Sequence, residues 1–369
     1  MKILDDREEH MKRVGIVTFH RADNYGAVLQ NYALQKALGD WCNVETVNYK
    51  CDFLEKPYLI PPFSEAPSNL VKKILNHTRY LFNVKRFWRL RDGFERFRKN
   101  YLKVSREYNQ HDLIRNSNDF DVYITGSDQV WNDKITNADI VYSLGFETKA
   151  KKVSYAASAG SIQMINRQTL NNISQLDYIS VREKDLQEYL VGAVKKSVSL
   201  VVDPVFLLSK ENWENLLPKT KAKDKFIFTY SVSEMTDDVV KVAKHIARQN
   251  NTKIYHMDHS LKYGARGICK YGASPLEFIT YIRDAEMIIA SSFHAVAFSI
   301  IFGKKFIVVP TKKTASRIES LLQIVGVEEN MFVSYEEYIN SNKDVKLPDI
   351  RKLDNQITKS FDFLKNTIE

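Results

Sequence analysis

Four short stretches gather residue types that do chemistry. Ser291-Ser292-Phe293-His294 sets two small hydroxyls and an imidazole where the apolar run EMIIA gives way to a helical pattern. Backbone N–H groups at a helix start bind anions, and a first-turn histidine with an ordinary pKa of about 6.5 is placed to move a proton. The same residues also fit a capping cluster with a packed histidine. Gly126-Ser127-Asp128-Gln129 follows VYIT, and Asp128 taken alone reads as an N-cap or turn residue. Arg182-Glu183 follows YISV; it is either an ion pair or a planar fork suited to carboxylate or phosphate. His20 to Gly26, including Asn24 and Tyr25, follows VGIVTF.

Other patterns exclude chemistry. His256-Met257-Asp258-His259 follows a strand and has no third strong ligand nearby, so no metal is expected there. Tyr263–Gly267 (YGARG) is not a phosphate loop, and neither GxGxxG nor a Walker motif occurs, which leaves nicotinamide dehydrogenase and ATPase readings without support. Cys42, Cys51 and Cys269 are too few and too scattered for a disulfide scaffold or a zinc site.

The elements that must position these residues alternate. Val14–Phe19 and Asn43–Tyr49 read as β-branched strands around a helix, NYGAVLQNYALQKAL, that stops at Gly39. Further strands are expected at Val122–Thr125, in KVSYAASAG and in DYISVRE. Asp203-Pro204 marks a boundary, after which KFIFTYSV, TKIYHM, EMIIASS and FIVVP alternate with helices. Such β/α alternation predicts doubly wound, mostly parallel sheets in an N-terminal domain at 13–205 and a C-terminal domain at 224–345. A linker is expected at 206–223, a helical insertion about 66–110 and a helical tail at 346–369. In open sheets of this kind ligands sit beyond the carboxyl ends of the strands, so the four polar clusters together describe a cleft between two domains.

Composition bounds the rest. The 369 residues carry 54 Lys+Arg against 45 Asp+Glu, with 44% hydrophobic and 27% charged residues, which is ordinary for a soluble globular chain. No run approaches the roughly 18 apolar residues of a membrane span, and MKILDDREEHMKR has no signal-peptide core, so a cytoplasmic location is expected. Twelve of the basic residues and only Asp92 and Glu95 fall between Lys72 and Arg106, so this segment is +10 and the remainder −1 of the net +9. Its interleaved aromatics predict one or two amphipathic helices with a basic face. That face reads either as a solvated surface or as a peripheral contact with anionic membrane at its inner face, through 72–106. Nucleic acid is not expected, because no binding motif accompanies the charge.

At these residues the sequence resembles the polysaccharide pyruvyl transferase family. The stretches that carry the resemblance include Asn24–Leu38, GSDQVWN (Gly126–Asn132), YAASAG (Tyr155–Gly160), VREKD (Val181–Asp185), VDPVFLL (Val202–Leu208), GASPLEFI (Gly272–Ile279), Ser291–Pro310 and SRIESLL (Ser316–Leu322). They run in family order over roughly 14–326. The resemblance implies a fold similar to the GT-B glycosyltransferases, two Rossmann-like domains facing a cleft, here with a basic helical insertion in the N-terminal domain. It also implies transfer of pyruvate from phosphoenolpyruvate, as donor substrate and with no cofactor or metal, onto two hydroxyls of a saccharide as a cyclic ketal.

By the same resemblance the active-site histidine falls on His294 and the VRE arginine on Arg182. Some members carry arginine two positions before the histidine; here Ser292 stands there, so donor anchoring rests on Arg182, Arg317 or the basic segment. Ketal formation from an enol phosphate needs an acid, a base and cations around phosphate and carboxylate. His294 is the expected acid/base, Asp128 a second base or acceptor-hydroxyl ligand, and Arg182, Ser292 and Arg317 the donor site. Asn24, Tyr25, Gly126, Ser127, Trp131 and Asn132 are expected to bind the acceptor or line the cleft. The basic aromatic segment suits a lipid-linked acceptor. The rival readings are a glycosyltransferase using a nucleotide sugar and a non-catalytic binding protein on the same fold.

Overall fold

The computed structural model describes residues 11–58, 70–232, 236–257, 267–311, 314–341 and 344–369, with the backbone alone for residue 57 and for 70–83. The His256–His259 pattern therefore lies half outside the described residues, as do most of YGARG, the N-terminal decapeptide and the side chains of Lys72, Lys73 and Arg79. The chain divides into two compact units: Met1–Glu65, Arg96–Leu208 and Asn355–Glu369 form the first, Ala66–Glu95 and Ser209–Asp354 the second.

In the first unit, β1 (Arg13–Val17), β2 (Asn43–Tyr49), β3 (Val104–Tyr108), β4 (Val122–Thr125) and β5 (Lys151–Ser154) form a sheet in the order β3-β2-β1-β4-β5. All its pairings are parallel. β6 (Ile179–Val181) and β7 (Val198–Leu200) make a further parallel pair, reached from β5 through bridges at Val153–Tyr178 and Ala157–Val181. The second unit repeats the scheme: β8 (Phe226–Tyr230), β9 (Lys253–Met257), β10 (Ile268–Cys269), β11 (Met287–Ala290) and β12 (Lys305–Val308) lie in the order β10-β9-β8-β11-β12, again all parallel. Parallel strands covered on both faces are apolar throughout, which is why VYIT and FIFTY are buried at every position.

The helices that matter here are α1 (Tyr25–Leu38), α2 (Leu70–Tyr101), α3 (Lys184–Val194), α4 (Asp237–Asn250), α5 (Pro275–Asp284), α6 (Phe293–Ile301), α7 (Ala315–Val325) and α8 (Asp354–Ile368). Several start where local chemistry dictates. Thr236 accepts from Val239 N ahead of Asp237 and Asp238 in α4, and Ser274 and Glu277 close a capping box on α5, with Pro275 at its first position.

Two expectations of organisation are revised, and the place of the tail is fixed. The stretch expected as a helical insertion of the N-terminal domain at about 66–110 holds one helix, α2, and then the strand β3, which pairs with β2; its residues up to Glu95 belong with the second unit, where Phe87 packs edge-on against Tyr271 and Arg89 pairs with Glu277. The stretch expected as a linker is ordered: Pro204–Leu207 is a short 3-10 helix, and Trp213 is fully buried against Phe298 at 4.9 Å. The tail is α8, and it returns to the first unit, where Ser360 Oγ accepts from Val202 N at 3.0 Å and Lys151 Nζ donates to the Thr367 carbonyl at 2.8 Å.

Candidate functional sites at two strand-order reversals

Each five-stranded sheet reverses its winding once, between β1 and β4 in the first unit and between β8 and β11 in the second. At such a reversal the two following connections leave in opposite directions and open a crevice beyond the strand ends. Most of the residues expected to do chemistry follow the strands at these two places; Arg317 follows the edge strand β12.

In the first unit, the chain leaving β4 turns through Gly126 (φ 117°), a cis Gly126–Ser127 peptide and Asp128 (φ 78°). Gly126 allows the turn because a Cβ there would lie 2.2 Å from the Tyr155 carbonyl oxygen. Gly126 N donates to Val17 O (3.1 Å), and Thr18 Oγ1 donates to Ser127 O (3.1 Å), tying the turn to the end of β1. Asp128 is bridged to Ala157 and Ala157 to Val181. This ladder carries the next residue, Arg182, to Asp128.

Arg182 is enclosed. Its side chain is 2% exposed, and its Nη1 donates to Asp203 Oδ2 at 2.5 Å and Ser127 Oγ at 3.1 Å. Nε donates to Glu183 Oε1 at 3.1 Å, and Nη2 lies 3.7 Å from Asp128 Oδ1. Burial opposes the charged guanidinium, but Glu183, Asp203 and Asp128 outweigh it and hold Arg182 charged well above its usual range. The fork expected to hold the donor is thus surrounded by the protein's own carboxylates, Asp203, Glu183 and, at 3.7 Å, Asp128. Asp203, which marks only a boundary when read in the sequence, is its most deeply buried acidic partner; its other oxygen caps the 3-10 turn through Val205 N at 3.1 Å.

Asn24 caps α1, accepting from Ala27 N at 3.3 Å, and Tyr25 is buried in its first turn. Tyr58 joins this neighbourhood: burial, then the negative charges of Asp128 and Asp23, push its hydroxyl up to about 12, while a hydrogen bond with Asn24 opposes the rise. Asp23 is itself paired with Arg98 at 2.9 Å. Two residues expected on the acceptor side are interior instead. Trp131 is fully buried in the core of the first unit, and Ser127 is fully buried with Oγ donating to Ala156 O at 3.0 Å. Asn132 caps the helix at Asp133–Thr136 and donates to Gln129 Oε1.

In the second unit, Ser291 follows β11 and its Oγ shares a 2.8 Å hydrogen bond with Ser231, which follows β8. Ser292 is the N-cap of α6 without a side-chain capping bond, and His294 lies in the first turn, 9% exposed, its ring edge-on to Phe293 at 5.4 Å. Arg317 stands in the first turn of α7, 8% exposed. Ser231 was missed in the sequence, since nothing in KFIFTYSV signals that its end neighbours β11. Among the described residues no cluster of three or more His, Cys, Asp or Glu could hold a metal, and no helix is long and apolar enough to cross a membrane.

Two units of parallel α/β sheet, each with polar residues at its reversal, define a GT-B-like protein. Solved structures of that fold are similar over nearly the whole chain. The S. aureus MnaA–UDP co-structure has a TM-score of 0.55 at 12% identity, covering 95% of this chain and 91% of that one. A UDP-GlcNAc 2-epimerase from Methanocaldococcus jannaschii gives 0.53 at 12% identity, covering 96% and 99%. The profile of the polysaccharide pyruvyl transferase family matches residues 24–313, and the chain belongs to that family. No curated protein sequence matches it.

Proposed function

We propose that the protein transfers the pyruvyl group of phosphoenolpyruvate to two hydroxyls of a saccharide as a cyclic ketal, releasing phosphate, in the cytoplasmic assembly of bacterial surface polysaccharide. The observation that supports this above all is the family match across 24–313, which spans both reversals. A proton delivered to the methylene carbon makes the methyl group and develops positive charge at C2. One sugar hydroxyl attacks C2, the bond from C2 to the phosphate oxygen breaks, and the second hydroxyl closes the ring. Of the two hydroxyl protons, one is balanced by the new methyl hydrogen and one leaves with phosphate.

His294 is the acid/base in this reading, being the imidazole in the first turn of α6. Ser292, the start of α6 and Arg317 anchor the anionic donor. Asp128, beside Arg182, accepts from a sugar hydroxyl or serves as second base. The test is thermal unfolding with phosphoenolpyruvate, phosphate, UDP-sugars or GDP-sugars, each with and without EDTA. A ligand at 100 times its dissociation constant adds about 2.7 kcal/mol. A rise with phosphoenolpyruvate that survives EDTA is expected; a rise with one nucleotide sugar and none with phosphoenolpyruvate would replace this reading with glycosyl transfer.

A further inference from the structure

We propose that the second unit carries a separate pocket for a diphosphate ester, walled by α2 and the exit of β10. A cavity of about 440 Å³ lies there, bordered by Lys85, Arg86, Arg89, Lys270, Tyr271 and Tyr281. That volume falls in the usual range of about 300–1,000 Å³ for small-molecule sites. Four cations border it, and among the described residues no carboxylate does. Of the acids close by, Glu277 is bonded to Arg89 at 2.6 Å, and Asp224 is held by Lys253 at 3.0 Å and the Tyr255 hydroxyl at 2.9 Å.

Lys270 and the wall beside it are held in place by the fold. Lys270 Nζ sits over the Tyr255 ring at 3.9 Å and 5.4 Å from that of Tyr281. Phe87 braces Tyr271, and Gly272 (φ 96°) lets the chain pass the Arg86 carbonyl, which a Cβ would meet at 2.9 Å. Burial, then the nearby Arg89 charge, hold the Lys270 ammonium below its usual range. Like charges gathered in a concave site are relieved by a polyanion, and one phosphate is too small for the volume. Two linked phosphates reach from Lys85 to Lys270 across the cavity, and the tyrosines offer faces to an organic group. This pocket does not depend on the pyruvyl-transfer reading.

Calorimetric titration of the full chain with inorganic pyrophosphate tests it, beside vesicles of phosphatidylcholine with phosphatidylglycerol. Saturable pyrophosphate binding is expected, weakened about tenfold in Lys85→Ala and in Lys270→Ala, as loss of a charge-assisted hydrogen bond implies. Lys270→Arg should retain it. Vesicle binding displaced by pyrophosphate would mean that the pocket takes the phosphate of an anionic lipid headgroup; pyrophosphate binding without vesicle binding would make the ligand a soluble diphosphate ester. Absent pyrophosphate binding, unchanged affinity in both alanine variants, or vesicle binding that pyrophosphate does not displace would overturn the proposal. The thermal response to phosphoenolpyruvate is read in the same variants: retained, it separates this pocket from the reversal site; lost together with pyrophosphate binding, it makes the two one and removes the proposal.

Discussion

Arg182 Nη1 and Asp203 Oδ2 stand 2.5 Å apart with side chains 2% and 0% exposed. The pair joins the residue after β6 to the one that opens the 3-10 turn on α1, so two crossovers of the first unit are fastened at one point. Ser127, Glu183 and Asp128 complete the surround. An arginine so placed is held by the protein's own carboxylates.

Breaking that pair should cost stability before it costs donor affinity. Removing one partner of a buried ion pair leaves an uncompensated charge and costs about 3–5 kcal/mol. Asp203→Ala and Arg182→Ala are both expected to lose that much in urea denaturation, with the folded fraction of Arg182→Ala still responding to phosphoenolpyruvate. A stable Arg182→Ala protein that no longer binds phosphoenolpyruvate would return the donor fork to Arg182.

His294→Ala should lower phosphate release from phosphoenolpyruvate by about 10²–10⁴-fold, the usual contribution of a positioned acid/base, while the donor still raises the unfolding midpoint. Normal turnover would move proton transfer to another group.

Gly126→Ala should fail to fold stably. Its φ of 117° is closed to alanine, and the added Cβ would meet the Tyr155 carbonyl oxygen at 2.2 Å. The check is soluble yield and thermal midpoint beside Gly192→Ala, where a Cβ meets nothing within 4 Å.

His20 gives the first unit an acid-sensitive point. Burial lowers its pKa from 6.5 to about 4, against hydrogen bonds with Asn48 at 3.2 Å and Thr18 O at 3.3 Å that favour the charged form. The folded state prefers neutral His20, so its contribution is full above pH 6.5 and fades as pH falls towards 4. Between pH 7 and pH 5 the loss is about 2 kcal/mol. Urea midpoints at the two pH values should differ less in His20→Gln than in the parent protein; an equal difference would place the titration elsewhere.

Much of this was legible locally. Val122–Thr125 reads as a strand because four buried β-formers sit between polar turns, and α5 starts where Ser274, Pro275 and Glu277 say it should. Ser231 was not legible, because its bond to Ser291 depends on β8 and β11 being neighbours across sixty residues of crossover. Trp131 carried a misleading signal: in a polar motif it reads as a surface for sugar, whereas the turn at Gly126 and Asp128 sends it into the core.

The sequence by itself determined the alternation of strands and helices, the helix caps and the family motifs, since periodicity and capping act within a few residues. Only the tertiary structure decided what the charged residues do. Whether Arg182 faces a substrate or three carboxylates depends on which strand ends become neighbours. Whether Lys85, Arg86 and Arg89 form a solvated stripe or close a cavity with Lys270 depends on where α2 packs. A charge acts through its distance to others, and that distance is set by the fold.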